Sequence, residues 1–246
     1  MKLLSITWSH TDDYSLENTF LYKSFIKHND KNDLVHLHFN RTHYTALENE
    51  FNDKYAYQSE YLLYKILLTY EALKKINNLD NFIYADTNDV VVLDKIDKIT
   101  PKDNLLFSCE KHQYPKNASW LSVNNYPEEN YRNNIFLNSG VFVTNKTHFL
   151  FFLDSCIAKI LPQYFKDYGG DQGVYTFFYL NYNQNKDIDL DVETKYFLST
   201  YIRSPDMFKN NENKLVNLEF NTEPIFIHDN GWNYGSPKFI ERFSFL

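Results

Sequence analysis

Several features on which many proteins depend are scarce in this 246-residue chain. Its only cysteines are Cys109 and Cys156, which excludes a disulfide scaffold and predicts two reduced thiols. No apolar run approaches the roughly 18–20 residues that a membrane-spanning helix needs. The N-terminal stretch turns polar after eight residues, too few for the apolar core of a signal peptide. We therefore expect a cytoplasmic protein without a membrane span.

Basic charge is also in deficit. The chain has 25 Lys and Arg against 32 Asp and Glu, a net charge of −7. Proteins that bind nucleic acid usually carry a basic stripe, so the balance speaks against nucleic acid as a main partner. Hydrophobic residues make up 43% and charged residues 23%, which is typical of a globular fold. The chain has no internal repeat and no linker-like segment, so we expect a single domain over residues 1–246. The sequence does not determine the oligomeric state.

Glycine is rare, and its placement is informative. All six glycines fall in three short clusters, at 140, at 169–173 and at 231–235. Glycine permits positive φ and a close approach of the backbone to a ligand, so each cluster predicts either a tight turn or a site. Because every cluster also contains polar residues, we favour sites.

Strand-like and helix-like patterns alternate along the chain. Strands are predicted over 2–7, 34–39, 81–85, 105–110, 136–143 and 223–228. Helices are predicted over 16–28 with Ser15 as N-cap, over 60–76 with Ser59 as N-cap, over 147–161, and from about Asp171. This alternation predicts an α/β fold with a mainly parallel sheet flanked by helices.

Two carboxylates follow the strand 81–85. Asp86 and Asp89 stand three residues apart, at the strand end where ligands bind in open α/β sheets. Their hard oxygen atoms suit Mg²⁺ or Mn²⁺, although an acidic surface turn explains the pattern equally well. His228 ends the last predicted strand and could complete a mixed ligand set. His36 and His38, which alternate on a strand, are interpreted as structural.

Two further segments combine polar residues with glycine. Asn138, Ser139 and Gly140 interrupt an apolar strand, which predicts a bulge or a close ligand approach. Asp171 and Gln172 lie at the start of a predicted helix, where a carboxylate either caps the helix or serves a site.

Five blocks carry a resemblance to a known family. They are Tyr84-Ala-Asp86-Thr-Asn-Asp89-Val, Phe107-Ser-Cys-Glu110 through Tyr114-Pro115, Phe136-Leu-Asn138-Ser139-Gly140, Asp171-Gln172-x-x-Tyr175-Thr176 and His228-Asp-Asn230-Gly231. In this order they resemble GT-A nucleotide-sugar glycosyltransferases. The closer resemblance is to the glycosyltransferase domain of procollagen lysyl hydroxylases and its viral and bacterial relatives.

The resemblance implies a Rossmann-like GT-A fold and transfer of glucose or galactose from a UDP-sugar to a hydroxyl of a protein, polysaccharide or glycolipid. It implies Mn²⁺ or Mg²⁺ held by Asp86, Asp89 and His228. Asp171 and Gln172 would lie near the anomeric carbon, with Asp171 as base in an inverting reaction or as orienting group in a retaining one. The implied donor-binding residues are Thr7, Trp8, Asn88, Asn138, Ser139, Gly140, Asn230, Gly231 and Lys238. Glu110 and Tyr114 would line the acceptor side.

Departures from the family pattern keep other functions open. Asn88 stands where the family has an aromatic residue for stacking on uracil, Gly169-Gly170 replace an acidic run, and Asp229 replaces a glycine. One alternative is a UDP-sugar hydrolase or phosphodiesterase that uses the same ion with water. Another is a non-catalytic protein that binds a nucleotide or sugar at a degenerate site.

Overall fold

The computed structural model of the chain is built around a six-stranded sheet. It describes residues 1–8, 14–40, 42, 46, 49, 64–100, 104–110, 136–159, 170–182, 187–200, 207–211 and 214–229. The strands are β1 (Lys2–Trp8), β2 (Leu34–Phe39), β3 (Asn81–Ala85), β4 (Val90–Val92), β5 (Leu105–Glu110), β6 (Phe136–Asn145), β7 (Ile188–Leu190), β8 (Phe197–Ser199), β9 (Phe208–Asn211), β10 (Lys214–Asn217) and β11 (Phe226–His228). The α-helices are α1 (Phe20–His28), α2 (Tyr64–Lys75), α3 (Lys146–Lys159) and α4 (Gly170–Tyr182).

The sheet is mixed and mainly parallel. Its strand order is β2-β1-β3-β6-β5-β7. β1 runs parallel to β2 and to β3, and β5 runs parallel to β7, whereas β6 is antiparallel to both of its neighbours. This arrangement confirms the predicted α/β class.

Helices and short strands bury both faces of the sheet. On one face, buried side chains such as Leu4, Phe82 and Phe107 pack against α2, α3 and α4. On the other face, Leu3 and Ile83 pack against α1 and against β4 and β11. When a sheet is covered on both faces, the sequences of its strands are continuous apolar runs. For this reason the sequence predicts β3 and β5 well.

Two predicted boundaries are wrong. Residues Leu16–Asn18 form a 3-10 turn, and α1 begins only after Thr19, whose hydroxyl accepts a hydrogen bond from the N–H of Tyr22. Thr19, rather than Ser15, is therefore the N-cap of α1. The last strand starts at Phe226 instead of position 223, and Pro224 has no N–H to contribute to a strand ladder. The Ser59 cap and the first four residues predicted for the second helix, 60–63, lie outside the described residues.

A second sheet, of three strands in the order β4-β11-β8, connects distant parts of the chain. β11 is antiparallel to β4, which places His228 opposite Val90, and parallel to β8. The sequence patterns do not predict β4 and β8. The pairing of β11 with β4 places the end of β11 beside the turn that follows β3.

Smaller features agree with the composition. Cys109 and Cys156 are both buried and are not joined in a disulfide, in agreement with the prediction of two reduced cysteines. Among the described residues, no helix has both the length and the apolar character required to cross a bilayer.

Candidate active site

Two carboxylates lie in the turn that joins β3 to β4. β3 ends at Ala85 and β4 begins at Val90, so Asp86 and Asp89 follow the carboxyl end of a buried central strand. The N–H of Asp86 donates to the carbonyl of Gly140 on β6, 2.8 Å away, which fixes the start of the turn. The side chains of Asp86 and Asp89 are 30% and 24% exposed, so both carboxylates reach the edge of the sheet without being fully solvated.

His228 lies beside these carboxylates because β11 pairs with β4. The N–H of Asp229 donates to the carbonyl of Asp89 at 2.7 Å and ties the end of β11 to the turn. His228 Nε2 is 3.4 Å from Asp89 Oδ2 and 3.9 Å from Asp86 Oδ2. The structure thus brings together the three side chains that the sequence predicts as a metal site.

The three side chains fit a divalent cation. One ligand atom from each lies within 4.8 Å of the other two. Around an octahedral ion with bonds of about 2.1 Å, neighbouring ligand atoms are about 3 Å apart, so small side-chain rotations would bring these atoms into position. Two carboxylates and one imidazole form a mixed oxygen and nitrogen set of the kind that Mn²⁺ accepts.

A buried lysine on α2 is a part of the site that the sequence analysis missed. The side chain of Lys65 is 7% exposed, and its Nζ lies 2.8 Å from Asp86 Oδ1 and 3.0 Å from Asp171 Oδ2. The contact to Asp171 is an ion pair without hydrogen-bond geometry. The Nζ also lies 5.0 Å from the centre of the Tyr84 ring. No sequence signal distinguishes Lys65, because its burial depends on the packing of α2 against the main sheet.

Opposite charges decide the protonation of the site. Burial favours the neutral amine, yet the Asp171 and Asp86 carboxylates hold the pKa of Lys65 well above its ordinary value. Burial raises the pKa of Asp86, although Lys65 opposes the shift. Burial also acts on Asp89, but the adjacent His228 outweighs it and lowers the pKa of Asp89. The same carboxylate raises the pKa of His228 despite burial of the ring. Three carboxylates face one lysine, and a divalent cation would balance the surplus negative charge.

A network of side-chain amides and one carboxylate lies behind His228. Asn138 Oδ1 is 2.8 Å from His228 Nδ1 and accepts a hydrogen bond from Ser108 at 2.9 Å. The Asn138 amide donates to Glu110 Oε2 at 2.9 Å, and the Gln172 amide donates to Glu110 Oε1 at 2.7 Å. We refer to Asn138, Gln172 and Glu110 as the amide–carboxylate cluster. The sequence predicts each of them as a site residue, but it does not predict their contact with one another.

The β-bulge predicted around residue 140 is present. The register between β5 and β6 shifts between Phe107 and Ser108, which confirms an irregular strand. The predicted close approach is made by the protein itself. A Cβ on Gly140 would lie 2.0 Å from Cε1 of His228, so the imidazole occupies the space that a side chain would fill.

Thr7 lies at the carboxyl end of β1, where it contacts both histidines of β2. Its hydroxyl is 3.2 Å from His36 Nε2 and 2.9 Å from His38 Nδ1, and Tyr14 stacks on both rings. Trp8 is the last residue of β1. The predicted site thus extends along the same edge of the sheet, from β6 to β2.

The remaining predicted residues are placed as follows. Asn88 is exposed in the turn between Asp86 and Asp89. Ser139 is buried, and its N–H donates to Gln172 Oε1 at 3.3 Å. Four predicted positions lie outside the described residues: Tyr114, Asn230, Gly231 and Lys238.

Comparison with known proteins gives one curated relative with a clear sequence match. The procollagen-lysine,2-oxoglutarate 5-dioxygenase of Drosophila melanogaster is 27% identical over 182 residues. The matched stretch covers 68% of this chain and 24% of the relative, so the chain corresponds to a minor part of that protein.

Solved structures show the same fold at low sequence identity. A structure of the galactosyltransferase LgtC in complex with donor and acceptor sugar analogs has a TM-score of 0.55 at 13% identity, covering 94% of this chain and 87% of that one. A structure of an active-site mutant of LgtC has a TM-score of 0.54 at 12% identity, with 96% and 88% covered. These similarities establish a GT-A fold.

The family model described as the PLOD GT domain matches residues 24–236, which include every described part of the site except Thr7, Trp8 and Tyr14. A match of this extent shows that the chain belongs to the PLOD GT domain family of glycosyltransferases.

Proposed function

We propose that the chain is a metal-dependent glycosyltransferase that moves a hexose, glucose or galactose, from a UDP-sugar to a hydroxyl acceptor. The observation that carries this proposal is the convergence of Asp86, Asp89 and His228, with separations of 3.4 and 3.9 Å between the imidazole and the two carboxylates. The family match supports the reaction class, and the site geometry supports the metal dependence.

A divalent cation, Mn²⁺ or Mg²⁺, is needed because donor and protein repel each other. The chain has a net charge of −7, and two carboxylates face the edge of the sheet where a diphosphate would bind. When bound, the ion supplies a Lewis acid that stabilises the negative charge of the departing UDP. Asp86 and Asp89 then act as its oxygen ligands and His228 as its nitrogen ligand.

The pairing of Asp171 with Lys65 supports an orienting role for this carboxylate. The Lys65 ammonium lies 3.0 Å from Asp171 Oδ2, so this carboxylate oxygen is engaged in an ion pair rather than turned towards an acceptor hydroxyl. In the proposed mechanism, Asp171 and Lys65 therefore orient the donor sugar next to the metal. This role fits a retaining reaction better than an inverting one.

The acceptor is assigned only as a hydroxyl. The name of the Drosophila relative concerns procollagen lysine, so a hydroxylysine-containing peptide belongs among the acceptors to test. Polysaccharide and glycolipid hydroxyls are the others. The cytoplasmic location stays a prediction.

A donor screen tests the proposal. Release of UDP from UDP-sugars is measured with Mn²⁺, with and without acceptors, for wild type, Asp89→Ala and the control Asp94→Ala. Asp94 is a partly exposed carboxylate outside the metal site and is paired with Lys98. We expect Asp89→Ala to lower the rate at least about a hundredfold, because the metal supplies several kcal/mol of transition-state stabilisation. The control is expected to retain the wild-type rate.

Three outcomes contradict the proposal in different ways. Equal rates for Asp89→Ala and wild type would remove the carboxylate from the site. Rapid release of UDP that no acceptor stimulates would indicate a hydrolase. Binding of UDP with Mn²⁺ but no turnover of any donor would indicate a binding protein.

A further inference from the structure

Two backbone N–H groups fix the orientation of the amides in the amide–carboxylate cluster. The N–H of Gly140 points to one end of the Asn138 amide at 3.1 Å, and the N–H of Ser139 points to one end of the Gln172 amide at 3.3 Å. A backbone N–H only donates, so both of these ends are oxygen atoms. The two NH₂ groups must then point at the Glu110 carboxylate, which only accepts when ionised.

This orientation determines which nitrogen of His228 carries hydrogen. Asn138 Oδ1 is an acceptor, so His228 Nδ1, 2.8 Å away, must donate. In the neutral imidazole the other nitrogen is then unprotonated. That nitrogen, Nε2, faces Asp86 and Asp89, and a metal ion binds only such a lone pair.

Two members of the cluster are enclosed within the protein, and Gln172 is half-buried. Asn138 is 0% exposed and Glu110 is 2% exposed. The Asn138 oxygen already accepts from Ser108, Gly140 and His228, and its NH₂ group donates to Glu110. These contacts support a role for Asn138 in holding His228, which differs from the donor contact that the family resemblance implies.

The β-bulge and Gly140 complete the arrangement. The register shift leaves residues 139–141 of β6 without a partner on β5, and Asn138 and Gly140 both lie beside His228 from this short segment. The absence of a side chain at Gly140 lets the ring pack against the backbone, where a Cβ would be 2.3 Å from Nδ1. The ring is therefore held by a hydrogen bond at one edge and by backbone contact.

We propose that Glu110 and Asn138 are positioning residues that select the Nδ1–H tautomer of His228 and thereby present Nε2 to the metal. Glu110 acts through the amide of Asn138 and does not touch the ion. The proposal rests on the metal site of the proposed function and adds to it the residues that prepare the site before any ion binds. Partners of this kind hold metal-binding histidines in other proteins.

Glu110→Gln is the sharpest test because it keeps the size and shape of the side chain while it replaces a charged acceptor by a neutral amide. A glutamine at this position offers one acceptor and one donor to two NH₂ groups, so one amide must turn or lose its partner. If Asn138 turns, its NH₂ group faces His228 Nδ1 and drives the hydrogen to Nε2. We expect Mn²⁺ to bind roughly 10- to 100-fold more weakly, measured by calorimetry without any sugar nucleotide.

Nitrogen-15 spectra of histidine-labelled, metal-free protein give a second readout at a pH where the ring is neutral. Wild type should show His228 protonated at Nδ1, and Glu110→Gln and Asn138→Ala should lose this preference. The control is Asn217→Asp, which changes another fully buried amide, whose partner Thr194 belongs to neither the metal site nor the amide–carboxylate cluster. This variant should keep the wild-type affinity for Mn²⁺ and the wild-type tautomer.

The proposal is overturned if wild type carries hydrogen on Nε2, or if Glu110→Gln and Asn138→Ala bind Mn²⁺ as tightly as wild type. The wild-type spectrum decides the matter even if a variant fails to fold. Neither readout needs a sugar nucleotide, so a failed donor screen and a failed tautomer measurement are separate results.

Discussion

A single buried lysine sets the charge balance at the residue scale. Lys65 lies between Asp86 and Asp171, at 2.8 and 3.0 Å, and its own side chain is almost completely enclosed. Removing one partner of a buried ion pair leaves the other charges uncompensated, which costs more than the pair itself contributes. The lysine thus holds two carboxylates in place that would otherwise repel each other.

Replacement of Lys65 by methionine should therefore destabilise the protein strongly. We expect the free energy of unfolding, measured in urea with EDTA, to fall by about 3 kcal/mol. The matched control is Lys74→Met on the same helix, where the lysine is 49% exposed and pairs with Glu71 at the surface. The control should change stability by no more than about 0.5 kcal/mol. Equal effects of the two substitutions would show that the buried ion pairs are not important for stability.

Gly140 gives a prediction in which metal binding changes more than folding. A Cβ there would lie 2.0 Å from His228 Cε1, and the ring has little room to move because Asn138 holds it. We expect Gly140→Ala to weaken Mn²⁺ binding at least about tenfold and to cost about 1–3 kcal/mol of stability. Calorimetric titration and urea unfolding measure the two effects. Wild-type affinity in the variant would mean that the imidazole does not bind the ion in this position.

How far the sequence predicts the site depends on the residue type. Asp86, Asp89 and His228 are predictable because they stand at the ends of apolar strands, where open α/β sheets bind ligands, and in blocks that resemble the family motifs. Lys65 is not, since a lysine is ordinary on a helix and only tertiary packing shows that it faces the interior. The orientation of the Asn138 amide likewise depends on backbone groups that the bulge brings close.

At the scale of elements, the longer strands and helices are predictable, and the shortest strands are not. β3 and β5 occupy the predicted residues because their apolar runs are complete. β4 and β8 have three residues each, too few for a periodic pattern, and their conformation depends on pairing with β11. The metal site needs this pairing, so its assembly could be proposed from side-chain chemistry but not from local sequence.

The β1–β2 pair gives a prediction about pH. Register places Thr7 opposite His38 and Ser5 opposite His36, so both histidines share the face that Tyr14 covers. Burial, with a smaller contribution from His38, lowers the pKa of His36 to about 4. The unfolded chain therefore takes up the proton first as the pH falls. The contribution of the neutral His36 ring to the free energy of unfolding is therefore fully present above about pH 6.5. It decreases progressively as the pH falls towards 4.

His36→Gln should remove this part of the acid sensitivity. Between pH 7 and pH 5, wild type should lose about 1 kcal/mol more unfolding free energy than the variant, after allowance for solvent screening of a partly exposed ring. Urea titrations of both proteins at the two pH values measure the difference. The same loss in both proteins would show that His36 titrates alike in the folded and unfolded chain.

At the scale of the whole molecule, the metal site joins parts of the chain that folding alone brings together. Asp86 and Asp89 follow a strand of the main sheet, Lys65 comes from α2, and His228 ends a strand of the second sheet. An ion that binds the two carboxylates and the imidazole only when they are assembled must stabilise the folded state by mass action. UDP should add to this effect only through the ion, because the protein and the nucleotide are both anionic.

The ligand dependence of thermal unfolding tests this coupling. Mn²⁺ at a hundred times its dissociation constant should stabilise wild type by about 2.7 kcal/mol, and UDP should raise the melting temperature further in the presence of Mn²⁺. In EDTA, UDP should have little effect, since the carboxylates then face the diphosphate without a cation between them. Asp89→Ala should abolish both shifts, and Asp94→Ala should keep both. If UDP stabilised wild type equally in EDTA and in Mn²⁺, the nucleotide would bind elsewhere on the protein, and the carboxylate turn would have no part in holding it.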